Sequence, residues 1–345
     1  MTAAPGRRPR VVGLGLVMAD VRVVCPVPLV QEHDPSVAAM DLRLGGATTN
    51  TLAALQRLGA DTAVAGVVGD DWIGRFLLDQ LDVRGVGREH VVTVPGSSPS
   101  CLVLESPPSR TLLWHLPAPL EWAAETALRP LLPRLVEHAD AVHVNGRFLP
   151  VAAELCALAR ERGTTVSLNA GRGDVSSGVS TLLDQADVLV AAEQWALEET
   201  GTRTGREACE RLSRRASGPP RLVSVTCGEH GSWTAGPGMP EAAHTQAPDV
   251  PSGLPTAGAG DAYHAGFLAA ALAGAAPGRC AQAGADEAGR HLSEAAAVPA
   301  AQNSPEETLR CRPMERKGVQ NHGVRHQEGR HVQRQQAAVT VRAAT

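Results

Sequence analysis

The feature that most limits the folds open to this chain is a rhythm of short apolar runs separated by stretches with helical spacing. Residues 11–17, 62–68, 141–144, 165–168, 188–191 and 222–226 are rich in Val, Leu, Ala and Thr and do not alternate strictly with polar residues. Such runs suit strands buried on both faces, because a strand with one wet face alternates instead. Between them, residues 49–58, 71–80, 150–162 and 193–200 place apolar side chains at helical spacing. Strands alternating with helices predict an α/β domain, a doubly wound and mostly parallel sheet flanked by helices. Two segments, 21–44 and 91–116, break the rhythm: they are rich in Val, Pro and Ser, with alternating stretches at 101–105 and 111–115. They are expected to form a small β lid outside the main sheet, interrupted at Pro26, Pro28, Pro107 and Pro108, where no N–H is available for a ladder.

Size and composition fit that reading. The chain has 345 residues, within reach of one large α/β domain with a small appendage. Hydrophobic residues make up 43% and aromatics only 3%, so the core has to be built from Ala, Val and Leu. A net charge of -4 gives no reason to expect nucleic acid or an anionic membrane as partner. Seven cysteines stand singly with no C-x-x-C pair, which argues against a complete disulfide framework and for a reducing compartment. The N-terminus is short and basic, and no apolar stretch is long enough to span a bilayer, so a cytoplasmic protein is expected.

The C-terminal part differs. The apolar periodicity fades after Gly274, with weak helical patterning at 289–297, and from Gln302 the chain is dominated by Arg, Gln, His, Glu and Gly. The expected organisation is a domain over 10–273, an atypical weakly helical part over 274–301 and a disordered tail over 302–345. Either the natural frame ends near Gly274 and the remainder is unselected sequence, or the end is rewritten but functional.

Two stretches carry chemistry. In Thr256-Ala257-Gly258-Ala259-Gly260-Asp261-Ala262-Tyr263-His264-Ala265-Gly266-Phe267, small residues lead into an acid and a helical pattern begins at once. Free N–H groups at a helix N-terminus form a cradle for phosphate, and an acid beside it can take a proton from an attacking hydroxyl. The same residues also read as a plain N-cap preceded by glycine. The second stretch, Gly45-Gly46-Ala47-Thr48-Thr49-Asn50 followed by Leu58-Gly59, Gly66-Val67-Val68-Gly69-Asp70-Asp71 and Ile73-Gly74, lets a small polar ligand approach backbone, or simply makes a tight turn ahead of a helix.

Together these stretches resemble the two signatures of the ribokinase-like (PfkB-type) carbohydrate kinases, in the right order and at a suitable separation. The resemblance covers about 11–273 and includes Val223 to Gly231; Arg110-Thr111 and His143-Val144-Asn145-Gly146-Arg147 are most similar to ketohexokinase-like members. It implies a ribokinase-like fold with the substrate between lid and sheet, and an ATP-dependent phosphotransferase acting on a sugar or sugar-like small molecule. It implies Asp261 as general base and the backbone of Ala257, Gly258, Ala259 and Gly260 as anion hole. Asp20, Gly46 and Asn50 match positions that hold substrate hydroxyls; Asn145 stands where many relatives carry a Glu that contacts the sugar. Arg110, Thr226, Gly228 and Gly231 match nucleotide-side positions. ATP and Mg²⁺ are the implied cofactors, and a homodimer through the lid is the implied assembly.

The sequence also departs from the family pattern. Pro255 replaces an Asp that helps shape a monovalent-cation site, which puts potassium activation in doubt. Ala192 and Trp195 stand at the places of an Asn-x-x-Glu magnesium motif, with Glu193 or Asp174 as conceivable substitutes, so the metal-binding residues are unassigned. A nucleoside kinase of the same fold, or a non-catalytic sugar- or nucleotide-binding relative with a damaged C-terminus, are the alternatives. Gly13-Leu14-Gly15 is too short a match to a dinucleotide fingerprint, His322 and His326 lie in the tail, and no G-x-S-x-G elbow is present.

Overall fold

A computed structural model describes residues 7–25, 36–106, 109–171, 176–214, 221–251 and 256–297. The first apolar run does not stay in one sheet. β1 (Arg10–Leu14) ends early, and the chain crosses into β2 (Met18–Val24) and β3 (Ala39–Gly45) of a second sheet. It returns through α1 (Ala47–Arg57), β4 (Asp61–Gly69), α2 (Trp72–Val83) and β5 (Gly87–Val94). It then leaves again through β6 (Ser100–Ser106) and β7 (Ser109–His115) before α3 (Ala118–Leu128) and α4 (Leu132–Glu137). From β8 (Ala141–Val144) the alternation is regular: α5 (Leu149–Glu161), β9 (Thr165–Ala170), α6 (Ser176–Val179), β10 (Val188–Ala192), α7 (Glu193–Thr200), α8 (Gly205–Ser213) and β11 (Leu222–Thr226). β12 (Ser232–Ala235) and β13 (Ala243–Thr245) come next, and α9 (Ala259–Leu272) and α10 (Pro277–Ala297) complete the described chain.

The main sheet has nine strands in the order β13-β12-β11-β10-β9-β8-β1-β4-β5, parallel from β11 to β5 with an antiparallel pair at one edge. Helices cover both faces. Along β1, Val12 and Leu14 enter one core with Val67, Val144 and Leu155, whereas Val11 enters the other with Val64, Leu52 and Phe267. Burial on both faces explains why these runs are continuous rather than alternating. The second sheet, β3-β2-β6-β7, is the lid.

Several boundaries differ from the sequence reading. Residues 11–17 are a strand only to Leu14, and residues 91–94, assigned to the lid, belong to β5 at the edge of the main sheet. Val91–Val94 pair in parallel with Gly66–Gly69, a partner that local alternation cannot reveal. Residues 26–35, Pro107 and Pro108 lie outside the described residues, as does the tail 302–345.

Residues 277–297, weakly patterned in sequence, form one 21-residue helix against α9. Its buried face is Cys280, Ala281, Ala285, Ala288 and Leu292, helically spaced but made mostly of alanine, whose small apolar surface resembles linker composition. Small residues let the two helices approach closely: a Cβ at Gly266 would overlap the Ala283 carbonyl, and one at Gly284 would meet the ring of Tyr263. Among the described residues no helix is long and apolar enough to cross a membrane, and no disulfide joins the six described cysteines.

Candidate active site

The site begins where β1 hands over to the lid. Gly46, the N-cap of α1, has φ 100, and a Cβ there would overlap the carbonyl oxygen of Leu16, so both backbone angle and space require glycine. Two buried threonines then pin α1 to the crossover: Thr49 Oγ1 donates to Leu16 O at 2.9 Å and Thr48 Oγ1 to Leu14 O at 3.4 Å. Beside this turn the carboxyl of Asp20, on β2, lies across the bare backbone of Gly45, in the space any side chain at that position would fill. Desolvation by burial raises the pKa of Asp20 to about 6.

Asn50, one turn into α1, donates Nδ2 to Asp261 Oδ2 at 3.0 Å, and Thr51 Oγ1 donates to the backbone oxygen of Asp261 at 3.4 Å. Asp261 sits in the first turn of α9, whose N-cap Gly258 is left-handed with φ 82. A helix N-terminus favours the carboxylate form. Burial outweighs it: desolvation, together with the nearby charge of Asp20, raises Asp261 to about 7, against the lowering effect of hydrogen bonds from Asn50 and Asn169. The residue still keeps part of its surface open while its carboxyl is hemmed in by protein.

The loop ahead of Asp261 is fixed from both sides. Ala259 N donates to Thr256 O at 3.2 Å, Ala262 N donates to Gly258 O at 2.9 Å, and His291 Nε2, from α10, donates to Ala257 O at 2.7 Å. First-turn N–H groups such as those of Gly260 and Asp261 have no intrahelical acceptor. Among the described residues, nothing lies within 4 Å of where a Gly260 side chain would be.

The structure thus brings Asp20, Gly46, Asn50 and Asp261 together, with Ala257, Gly258, Ala259 and Gly260 as the adjoining loop. Asn145 and Thr226 stand at the C-terminal ends of β8 and β11, the sheet edge at which open α/β folds bind ligands. Asn145 Oδ1 accepts from Arg147 N at 3.3 Å in a turn where Gly146 has φ 81 and Phe148 φ 53, a strained angle for a residue with a side chain. Gly228 and Gly231 form the turn after β11; Gly231 packs against the Thr245 backbone. Arg110 stands opposite Glu105 in the β6–β7 register of the second sheet. Asn169, Thr51 and His291 were missed by sequence reasoning; only for Asn169 was there a signal, a polar residue closing a buried parallel strand.

The lid register adds one row. Arg43, Asp20, Cys101 and Trp114 are successive partners across β3, β2, β6 and β7, so their side chains share one lid face. Trp114 is half exposed there.

A protein-held magnesium ion does not fit the residues at the motif places. Ala192 has no donor atom, Trp195 is buried, and Glu193 is hydrogen-bonded to Cys227, whose thiol burial pushes up to about 12. Among the described residues no group of three His, Cys, Asp or Glu side chains could hold a metal. Asp174 and Pro255 lie outside the described residues.

Residues 8–298 match the profile of the pfkB family carbohydrate kinase. The chain is 29% identical over 269 residues to an ATP-dependent ribose-1-phosphate kinase of Halopiger xanaduensis, covering 75% of this chain and 84% of that protein. It is 26% identical over 259 residues to a fructokinase of Vibrio alginolyticus, covering 70% and 80%. The crystal structure of adenosine kinase from Sinorhizobium meliloti superposes with a TM-score of 0.69 at 20% identity, covering 83% of this chain and 94% of that one.

Proposed function

Because this chain belongs to the pfkB family of carbohydrate kinases, we propose that it transfers the γ-phosphoryl group of ATP to a hydroxyl of a sugar or sugar-like alcohol, with Asp261 as the base. The observation that carries the reading is the convergence of Asp261, Asn50 and Asp20 from α9, α1 and β2 upon one helix N-terminus. The attacking hydroxyl oxygen bonds to the γ-phosphorus as the bond to the β-phosphate oxygen breaks, its proton passes to the Asp261 carboxylate, and ADP leaves. A carboxyl raised to about 7 is matched to proton transfer near neutral pH. The first-turn N–H groups behind Ala257, Gly258, Ala259 and Gly260 would take the charge on the transferring group. Asp20 accepts substrate hydroxyl protons, Gly46 lets the substrate near the backbone, and Asn50 and Asn145 add neutral hydrogen bonds. The turn from Thr226 through Gly228 to Gly231, with Arg110, is assigned to the nucleotide. Magnesium would enter as part of the ATP substrate complex, where it neutralises phosphate charge.

ADP release by the purified chain, assayed with magnesium–ATP against a panel of sugars and nucleosides, tests this reading. Turnover with one sugar, lost in Asp261→Asn, supports it. Ligand-induced thermal stabilisation without ADP release means a binding protein instead.

A second reading, nucleoside phosphorylation, is favoured by Trp114. Two strands from Asp20 on the same lid face, its indole offers a stacking surface to a base. Nucleoside turnover that falls in Trp114→Ala while any sugar turnover persists selects this reading. The opposite lid face carries the row Leu42, Val21, Leu102 and Leu113, only partly covered, and supports self-association through the lid; sedimentation velocity tests it.

A further inference from the structure

Between α9 and the sheet face that it covers, one helical turn on from Asp261, lies a polar chain that the proposed reaction does not use. His143, Ser167 and His264 are all fully buried. Ser167 Oγ lies 2.7 Å from His264 Nε2 and 3.2 Å from His143 Nδ1, and the two imidazoles meet edge to face with centroids 4.6 Å apart. Ser167 has one hydroxyl hydrogen, so it donates to one ring and accepts from the other. The remaining nitrogens, His143 Nε2 and His264 Nδ1, have no protein partner. Burial holds both rings neutral, with His143 lowered to about 4 and His264 well below its ordinary value.

Two unpartnered buried nitrogens destabilise a core that leucines would fill without such a penalty. What a leucine cannot provide is direction. The chain is placed where direction matters: His264 comes three residues after Asp261 and shares its face of α9, while Ser167 precedes Asn169 by two and shares its face of β9. Helix and strand are therefore joined by two parallel rungs, Asn169 to Asp261 and Ser167 to His264, with His143 opposite Ser167 in the β8–β9 register.

We infer that His264 is a positioning residue: through Ser167 it fixes the rotation and register of α9 on β9, and so the aim of the Asp261 carboxyl. The inference rests on the kinase reading only for its activity measurements. The groups facing Asp261 are Asp20 from β2, Asn50 from α1 and Asn169 from β9, and none of them is altered in the test.

The test compares wild-type protein with His264→Leu, His264→Gln and Ser167→Ala. His264→Leu is expected to melt no lower than wild type, since it removes an unpartnered buried nitrogen. Its kcat falls about 10–100-fold while KM changes little, the signature of a misaimed group rather than lost binding. His264→Gln, which restores a polar atom near the Nε2 position, recovers most of kcat, and Ser167→Ala reproduces the loss. The acidic limb of the kcat–pH profile moves in His264→Leu and returns in His264→Gln. Wild-type kcat and an unmoved limb in folded His264→Leu and Ser167→Ala overturn the inference. If the wild-type chain consumes no ATP, the kinase reading has failed, and crystals of His264→Leu decide the positioning. An Asp261 carboxyl turned away from Asn50 and Asn169 supports it; unchanged contacts overturn it.

Discussion

Asn50 and Asp261, 211 positions apart in the chain, meet at 3.0 Å, with the amide Nδ2 donating to the carboxylate Oδ2. The contact ties α1, which starts at the end of a lid strand, to the first turn of α9, and Thr51 adds a second bond to the same turn. The residue proposed as base is thus held by the helix that follows a strand of the second sheet.

Asp261→Asn keeps the shape of the side chain and removes its ability to take a proton. The expected loss is about 10²–10⁴-fold in kcat, the usual contribution of general base catalysis, with substrate-induced thermal stabilisation retained. Steady-state ADP release together with a ligand thermal-shift series measures both. Full activity in the variant would remove Asp261 from the mechanism.

The Asn50 amide favours the charged form of Asp261 by donating to it. Replacing it with Leu should raise the carboxyl further above about 7, shifting the acidic limb of the kcat–pH profile to higher pH. An unmoved limb, at any level of residual activity, would show that this bond does not tune the base.

Asp20, raised to about 6, and Asp261, raised to about 7, both bind protons more tightly folded than unfolded. Their contribution to stability is fully present below the ordinary value of 3.8 and is lost as pH rises through 6 and 7. His143, lowered from 6.5 to about 4, acts in the opposite sense, its contribution present above 6.5 and lost as pH falls toward 4. Asp261→Asn should therefore melt higher than wild type near pH 8, and the gap should close near pH 4. Calorimetry across that range checks the sign.

Gly46→Ala forces a side chain onto φ 100 and against the Leu16 carbonyl. The expected destabilisation is about 2–4 kcal/mol from backbone strain and overpacking combined. Urea unfolding measures it, and a loss under half that would mean the crossover relaxes.

His291→Ala removes the donor to the Ala257 carbonyl. Because the loop then loses its anchor on α10, ATP KM should rise more than sugar KM, with little change in the melting temperature. Equal effects on both substrates would instead point to a loosened helix pair.

Much of the architecture was legible because buried parallel strands announce themselves. Residues 188–191, 222–226 and 141–144 are strands as read, and 193–200 is the helix as read. The mistakes share one cause. Val91–Val94 alternates no differently from a lid strand, yet it pairs with β4, a choice made by a partner more than twenty positions away in the chain. α10 hides its contact face in alanine, and its packing depends on glycines of both helices that composition alone reads as loop.

The sequence by itself determined the class of fold and the pair of glycine-rich turns, because continuous apolar runs and small residues before an acid are local patterns with local physical meaning. It also singled out Asp20, Gly46, Asn50 and Asp261. Only the tertiary structure decided that these side chains converge, that Asn169 and Asn50 both reach Asp261, and that His291 holds the loop before it. It alone placed His143, Ser167 and His264 in one buried chain. Such contacts are made between residues far apart in sequence, where distance, burial and hydrogen-bond direction exist only once the sheet and its covering helices have packed.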